Sequence, residues 1–246
     1  MAIALFQGCK KKEKTEDTAP VTPPVSTPQA PVFFISIPSD AYGVLMASRI
    51  PYTFSNNYVT LKGDASAFFY TAPGDYNYVD AGTVKCNDSV LVKQSSGSYF
   101  FNGKAKNGQP VSGNDYSAGV TWSVTGTSSV PGFTYNISNF PSDAMLTSSV
   151  LLNKNNPYTA TFTGANNADS VVVMLGCDSV LQKKTVSVAT GSCSFTQVQV
   201  ASVKKASSIN KGYINLLSYR IMTNSVSGKK YYMVNTNTTT YTVSIN

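Results

Sequence analysis

Short apolar runs separated by turn residues dominate the chain from residue 32 onward. Several runs alternate between apolar and polar positions, as at Val120, Trp122 and Val124. Such alternation is typical of a β-strand with one buried face, and it places Trp122 in the core. The dipeptide Ser96-Gly97 and two later Asn-Gly pairs supply turns at hairpin spacing. The pattern predicts an all-β fold without a convincing helix, and the strand spacing is that of β-sandwiches.

The predicted strands occupy residues 32–37, 58–62, 67–71, 98–101, 120–125, 133–137, 158–163, 170–175, 194–203, 213–222, 230–235 and 240–245. A short motif occurs twice among them, as Ile37-Pro38-Ser39-Asp40-Ala41 and as Phe140-Pro141-Ser142-Asp143-Ala144. Each copy follows an apolar run, which indicates that two modules open alike. The sequence therefore predicts two tandem immunoglobulin-like β-sandwich domains, at residues 32–138 and 139–246.

The first 31 residues have a different character. The stretch Leu5-Phe6-Gln7-Gly8-Cys9 resembles a bacterial lipobox, in which the cysteine receives lipid. Residues 1–8 are then a residual lipoprotein signal segment, and residues 9–31 form a Pro- and Lys-rich tether. This tether has too little apolar surface to fold, so we expect it to be disordered. Acyl chains on Cys9 would hold the protein to a membrane. Thr18 stands in an Asp-Thr-Ala sequence similar to the O-glycosylation pattern of Bacteroidetes.

Charge argues against a nucleic-acid partner. The formal net charge is +7, but charged residues make up only 13% of the chain. Several lysines lie in the tether, and the others are scattered. A nucleic-acid footprint normally clusters its basic residues on one face or helix. We therefore expect no binding to nucleic acid.

The absence of histidine narrows the chemistry further. The chain has no His, and no Glu follows Glu16. This excludes Ser-His-Asp and Cys-His catalysis and most zinc sites. We expect a protein that is not an enzyme and has no metal or other cofactor. Two alternatives stay open, which are a glycoside hydrolase with paired Asp residues and a calcium site. Candidate calcium ligands are Asp75, Asp80, Asp88 and Asp115, although no EF-hand spacing is present.

Two further groups of side chains are candidate site residues. Cys177 and Cys193 lie on or beside neighbouring predicted strands, and they either form a disulfide or remain buried thiols. Tyrosines are the other group, because their rings stack on sugars as readily as they pack in strands. The candidate glycan contacts are Tyr76, Tyr78, Tyr231 and Tyr232.

A family resemblance agrees with these predictions. The stretches Ala81–Val84, Ser98-Tyr99-Phe100, 122–126 and 130–135 look like those of Bacteroidetes-type cell-envelope lipoproteins with immunoglobulin-like modules. The resemblance implies a β-sandwich attached by lipid to the bacterial outer membrane, on its periplasmic or cell-surface face. The expected function is a non-catalytic binding or scaffolding module for a protein or polysaccharide partner. The alternatives are a surface glycan-binding lipoprotein of a polysaccharide-uptake system and the Asp-dependent hydrolase.

Overall fold

The computed structural model describes residues 35–53, 59–101, 116–177, 179–207 and 210–246, with the backbone alone for 51–53, 59–62 and 117. Within these ranges strands predominate and one α-helix occurs, so the predicted all-β class is confirmed. The strands are β1 (Ala41–Thr53), β2 (Val59–Phe69), β3 (Val84–Cys86), β4 (Ser89–Val90), β5 (Val92–Lys93), β6 (Tyr99–Phe101), β7 (Val120–Val124), β8 (Phe133–Ile137), β9 (Ala144–Leu146), β10 (Leu151–Leu152), β11 (Tyr158–Gly164), β12 (Ser170–Gly176), β13 (Leu181–Ser187), β14 (Ser192–Phe195), β15 (Lys211–Val226) and β16 (Lys229–Ile245). The helix is α1 (Gln197–Ala206), and short 3-10 turns occur at Tyr116–Ala118 and Val188–Thr190.

A nine-stranded main sheet organises the molecule, in the order β13-β12-β15-β16-β1-β2-β6-β5, with β10 paired to the end of β16. Strands β15 and β16 form a long antiparallel hairpin around the turn Ser227-Gly228, where both residues have positive φ. β1 pairs in parallel with β16 from Ala41 to Arg49, and antiparallel with β2. The predicted Ser96-Gly97 turn joins β5 to β6.

The main sheet crosses the predicted boundary at residue 138. Four of its strands (β1, β2, β5 and β6) come from residues 32–138, and the other five come from residues 139–246. The boundary itself falls in the linker between β8 and β9. The two predicted segments therefore share one sheet, and β16 lies between strands of both.

Two smaller sheets pack on one face of the main sheet, which we call the covered face. The sheet β4-β3-β7-β8 lies over β1, β2 and β6, and the sheet β14-β11-β9 lies with α1 over β12 and β15. The largest buried side chains of the first core are Trp122, Tyr99, Tyr116, Tyr231, Phe69, Leu45 and Met233. Those of the second core are Phe195, Leu175, Ile214, Leu216 and Ile245. A third cluster, on the opposite face of the main sheet, includes Val44, Phe68, Val172, Leu217, Tyr232 and Val234.

Helix α1 corrects the prediction of a strand at residues 194–203. β14 ends at Phe195, and Thr196 then begins the helix through a capping box with Gln199. Each of these two side chains binds the other residue's backbone N–H, which satisfies donors at the helix start. Val200 and Val203, three residues apart, are buried in the second core, and Val198 is exposed. The local cap and the helical spacing of buried valines override the β-preference of the sequence.

Candidate functional site

An open cleft of about 560 Å³ lies at one end of the sheet β4-β3-β7-β8. Its walls come from the turn between β3 and β4, from the start of β7 and from the end of β8. The polar residues that line it are Asn87, Asp88, Thr121, Asn136 and Ser138. Because three strand ends meet here, the side chains stand on a backbone that the sheet holds in place.

Asn87 fixes one wall of the cleft. It lies in the two-residue turn between β3 and β4 with φ at 51°, a conformation that asparagine tolerates better than most residues. Its backbone N–H donates to the Thr121 carbonyl oxygen at 2.7 Å, and its Oδ1 accepts from the Thr121 N–H at 2.8 Å. These two bonds attach the turn to β7, so the Asn87 backbone N–H and Oδ1 hold the turn that carries Asp88.

Gly119 shapes the floor where β7 begins. Its φ is 106°, which disfavours other residue types, and a Cβ here would overlap the Ile137 carbonyl oxygen. The chain therefore passes close to the end of β8 at a position that admits only glycine. This approach brings Thr121 beside Asn136, its cross-strand partner.

The cleft presents hydrogen-bonding groups to solvent. Asp88, Asn136 and Ser138 are exposed, and Thr121 is half-buried. A carboxylate accepts, an amide both donates and accepts, and hydroxyls do either. Together these groups match a ligand rich in hydroxyls better than an apolar one.

The predicted glycan contacts Tyr76 and Tyr78 belong to an aromatic group on the opposite face of the main sheet. Tyr70 stacks on Tyr78 at 5.9 Å between ring centroids and meets Tyr76 edge-on at the same distance. Phe68 packs against Tyr78 at 5.8 Å. Burial raises the pKa of Tyr70 well above its ordinary value. Tyr76 is 40% exposed, so it offers one accessible ring at the edge of a buried cluster.

Tyr231 and Tyr232 point to opposite faces of the main sheet, and this corrects the prediction that both contact a glycan. Tyr231 is fully buried in the first core, with its ring centroid 5.0 Å from that of Phe133. Burial raises its pKa to about 12. A buried ring cannot stack on a sugar. Tyr232 is 6% exposed, and its hydroxyl donates to Asp40 Oδ1 at 2.6 Å.

The Asp40 carboxylate forms a clip between the start of β1 and β16. Besides Tyr232, it binds Lys230, whose Nζ lies 2.6 Å from Asp40 Oδ2. The hydrogen bonds from Lys230 and Tyr232 lower the pKa of Asp40, and the same carboxylate raises the pKa of Lys230. Because its hydroxyl is bound within this clip, we interpret Tyr232 as a structural residue.

The calcium candidates are dispersed. Asp75 Oδ1 accepts from the Asn77 backbone N–H at 3.1 Å. Asp80 binds Lys93 Nζ at 2.9 Å and the Tyr99 hydroxyl at 2.7 Å. Asp88 lies in the cleft, and Asp115 lies outside the described residues. In the part of the chain that the structure describes, no three His, Cys, Asp or Glu side chains group as metal ligands would.

The predicted disulfide is not formed in this structure. Cys177, just after β12, and Cys193, in β14, are both free thiols packed in the second core. Cys177 Sγ lies 3.7 Å from the Val203 carbonyl oxygen. Burial raises the pKa of the Cys193 thiol, and it raises that of Cys86, in the first core, to about 12. These cysteines therefore pack as small apolar side chains.

Cys9, Thr18 and the predicted tether lie outside the described residues. The cleft residues were mostly missed by sequence reasoning. The sequence predicts Asp88 only as a candidate calcium ligand, and the Asn87-Asp88 pair is a turn signal. Asn136 carries no comparable signal, because it becomes a wall only when β8 pairs with β7.

Comparison with protein-family models and curated sequences adds no relative. Among the residues described here, no helix has the length and hydrophobicity needed to cross a membrane. The chain matches no protein-family model and no curated protein sequence.

Proposed function

We propose that the chain is a non-catalytic binding module of the bacterial cell envelope, attached to the outer membrane through lipid on Cys9. The lipobox-like sequence Leu5–Cys9 and the Pro-rich run after it support the attachment. The tether at residues 9–31 holds the β-sheet assembly away from the membrane. The bound partner is a protein or a polysaccharide on the periplasmic or cell-surface side.

The polar cleft carries this proposal. Asp88 and Asn136 are exposed on opposite walls, and each wall is held by backbone pairing of the sheet. Binding sites depend on a few well-placed polar groups on a rigid scaffold, because ordering them in advance lowers the entropy lost on binding. The exposed polar side chains of the cleft meet this requirement, and Val120 and Ile137 of its lining belong to the first core beneath them.

A surface glycan-binding lipoprotein of a polysaccharide-uptake system is the second candidate, and the lining of the cleft favours it. Vicinal sugar hydroxyls can donate to the Asp88 carboxylate and exchange paired bonds with the Asn136 amide. Tyr76 lies in the loop between β2 and β3, against Tyr70 and away from the cleft lining, so we assign it no part in this contact.

The test is retardation of the full chain in native gels that contain single polysaccharides. We expect at least one glycan to retard the wild type, and Asn136→Ala or Asp88→Asn to abolish the retardation. Asn166→Ala is the matched control, since Asn166 is equally exposed but lies in the loop between β11 and β12. Equal retardation of all four proteins would remove the cleft from the proposal. Release of soluble sugars that Asp88→Asn abolishes would replace it with the hydrolase.

The anchor has its own test. Cells that express the full chain with its native signal should place the wild type in the detergent-soluble membrane fraction. Cys9→Ala should move it to the soluble fraction, because the acyl chains supply the membrane affinity. Cys86→Ala is the control, since that thiol is buried in the first core. Membrane association that survives Cys9→Ala would contradict lipidation there.

A further inference from the structure

Arginine is used at only two positions in this chain, and both lie beside β16. Lys and Arg together number 19, yet Arg49 and Arg220 are the only arginines. Arg220 of β15 pairs with Asn235 of β16, and Arg49 of β1 pairs with Asn237. The two arginines are thus diagonal neighbours across one strand. With strands about 4.8 Å apart and about 3.3 Å per residue, their Cα atoms lie about 12 Å apart.

All four of these side chains belong to the covered face. In β1, Leu45 and Ala47 point into the first core, and Arg49 continues their alternation. In β15, Ile214 and Leu216 point into the second core, and Arg220 follows in the same series. The first core also contains Tyr231 and Met233 of β16. Asn235 and Asn237 continue that alternation, so they point to the covered face too. They form a polar seam between the two cores, which we call the Arg–Asn seam.

The asparagines of the seam are fully buried but incompletely bonded. Asn235 and Asn237 are each 0% exposed. Within the described part of the chain, neither amide atom of Asn235 has a hydrogen-bond partner, and neither does Asn237 Oδ1. A buried polar atom without a partner carries an unrecovered desolvation cost, which a bound molecule that hydrogen-bonds to it would remove. The Asn235 amide therefore points to an occupant.

The linker between the two small sheets covers the seam. Asn237 Nδ2 donates to the Pro141 carbonyl oxygen at 3.1 Å, and Ser218 Oγ donates to that of Ser142 at 2.8 Å. These bonds hold the linker over β16 without engaging Asn235. The second copy of the Pro-Ser-Asp-Ala motif, at residues 141–144, thus lies over the seam.

The arginines bring two positive charges to the seam, and neither is neutralised by a direct ion pair in the described part of the chain. Both are half-buried, and among the described residues neither guanidinium group forms an ion pair or hydrogen bond. Two Asp carboxylates lie near the seam, one beside Arg220 and one in the linker. Asp169 Oδ2 accepts from the Ile221 N–H at 2.8 Å, next to Arg220. Asp143 Oδ1 is buried in the linker and has no partner within those residues.

We propose that the Arg–Asn seam binds a small oxyanion of the carboxylate or phosphate type, held by the guanidinium groups of Arg49 and Arg220 and by the Asn235 amide. The guanidinium fork matches two oxygens of such an anion, whereas a lysine ammonium offers a point charge. This explains why a chain that uses lysine at every other basic position has arginine here. Asn235 Nδ2 adds a third donor.

Thermal unfolding of the full chain with increasing inorganic phosphate tests the site, with sodium chloride at equal ionic strength as the reference. A specific site gives a rise in midpoint that saturates, because ligand binding to the folded state follows mass action. We expect Arg49→Gln and Arg220→Gln each to weaken the apparent phosphate affinity at least ten-fold. Arg49→Lys should weaken it less, and Lys183→Gln, at an exposed position of β13, should leave it unchanged.

A buried charge gives a second test that does not depend on phosphate. Asn235→Asp places a carboxylate between the arginines, so we expect a midpoint at or above that of the wild type and no further rise with phosphate. Asn215→Asp is the matched control, since Asn215 Oδ1 is also buried without a partner in the described chain but faces away from the arginines. It should lower the midpoint, because its charge has no partner.

Three results would overturn the proposal. The first is an equal, unsaturated phosphate effect in the wild type and both Arg→Gln variants, which is general salt stabilisation. The second is destabilisation by Asn235→Asp as large as that by Asn215→Asp. The third is a phosphate response that appears only in Asp143→Asn, which would show that the linker carboxylate itself fills the seam.

Discussion

The two cores of the covered face rest on the same sheet but are built from different side chains. The first is aromatic, with Trp122, Phe69 and Tyr99 among its largest buried residues. The second is mainly aliphatic, with Leu175 and Ile214, and part of its cover is a helix. β16 contributes to both, near one end to the first core and near the other to the second. Covers of different architecture are therefore compatible with one continuous sheet.

The largest expected effect is that of Trp122→Ala. Trp122 is fully buried in the first core, and its removal leaves a large cavity. Truncation of a buried Trp costs about 3–5 kcal/mol in the free energy of unfolding. Because both cores share β16, we expect the whole molecule to unfold in a single transition at lower denaturant. Calorimetry together with circular dichroism would measure it.

The result that would break the comparison is a second transition. If the residues on either side of position 138 fold independently, Trp122→Ala lowers one midpoint and leaves the other unchanged. Trp122→Phe is the control for size. It keeps a ring and removes the indole N–H, which has no partner in the described chain, so it should cost clearly less than the alanine variant.

A slightly smaller loss is expected in the second core from Leu175→Ala. Leu175 is fully buried in β12, and such truncations cost about 2–5 kcal/mol. The same single transition should shift as with Trp122→Ala. Leu151→Ala is the control, because that leucine is 66% exposed and its truncation should stay within about 0.5 kcal/mol. Denaturant unfolding of Leu175→Ala and Leu151→Ala would measure the two losses in the free energy of unfolding.

The strands that sequence reasoning located well are those with one apolar face. β7 alternates strictly, and it was predicted almost to the residue. β1, the longest strand before residue 54, was missed. From Val44 to Ala47 its side chains are apolar on both faces, with Val44 in the third cluster and Leu45 in the first core, so no alternation marks it. Its parallel pairing with β16 is equally invisible locally, because the partners are far apart in sequence.

The candidate sites were predicted less well for the same physical reason. The identity of a tyrosine does not reveal its face, and Tyr231 and Tyr232 differ in face although they are adjacent. The cleft and the Arg–Asn seam depend on which strands become neighbours. Arg49 and Asn237 meet only through the parallel pair, which no local pattern predicts.

Helix α1 is the clearest difference between the covers of the two cores, and two substitutions test that difference. Thr196→Ala removes the N-cap, so we expect a loss of about 1 kcal/mol. Val198 is 71% exposed in the first turn, and Val198→Ala should raise stability by a few tenths of a kcal/mol, because alanine is the better helix former. In a strand the same change would lower stability. Urea unfolding of the two variants therefore tests helix against strand at residues 197–203.

The smallest expected effect concerns one buried tyrosine in each core and the groups that its hydroxyl contacts. The Tyr99 hydroxyl donates to the Asp80 carboxylate, which also binds Lys93. The Tyr158 hydroxyl of the second core contacts Ser148 Oγ at 2.8 Å and donates to the Ser149 carbonyl oxygen, both neutral. Hydrogen bonds from Lys93 and Tyr99 lower the pKa of Asp80, and burial with the Asp80 contact raises that of Tyr99 to about 12.

The first core should therefore be the more acid-sensitive one. A carboxyl group with a lowered pKa in the folded state stabilises the fold fully above its unfolded value, about 3.9, and loses that contribution as pH falls through the folded value. Asp80→Asn should lower the unfolding midpoint at pH 7, and the gap from wild type should shrink below about pH 4. Ser148→Ala is the neutral counterpart, and its gap should stay constant from pH 7 to low pH. If the difference in midpoint between Asp80→Asn and wild type is also constant with pH, the contacts of Tyr99 and Lys93 with Asp80 add no stability that depends on its charge.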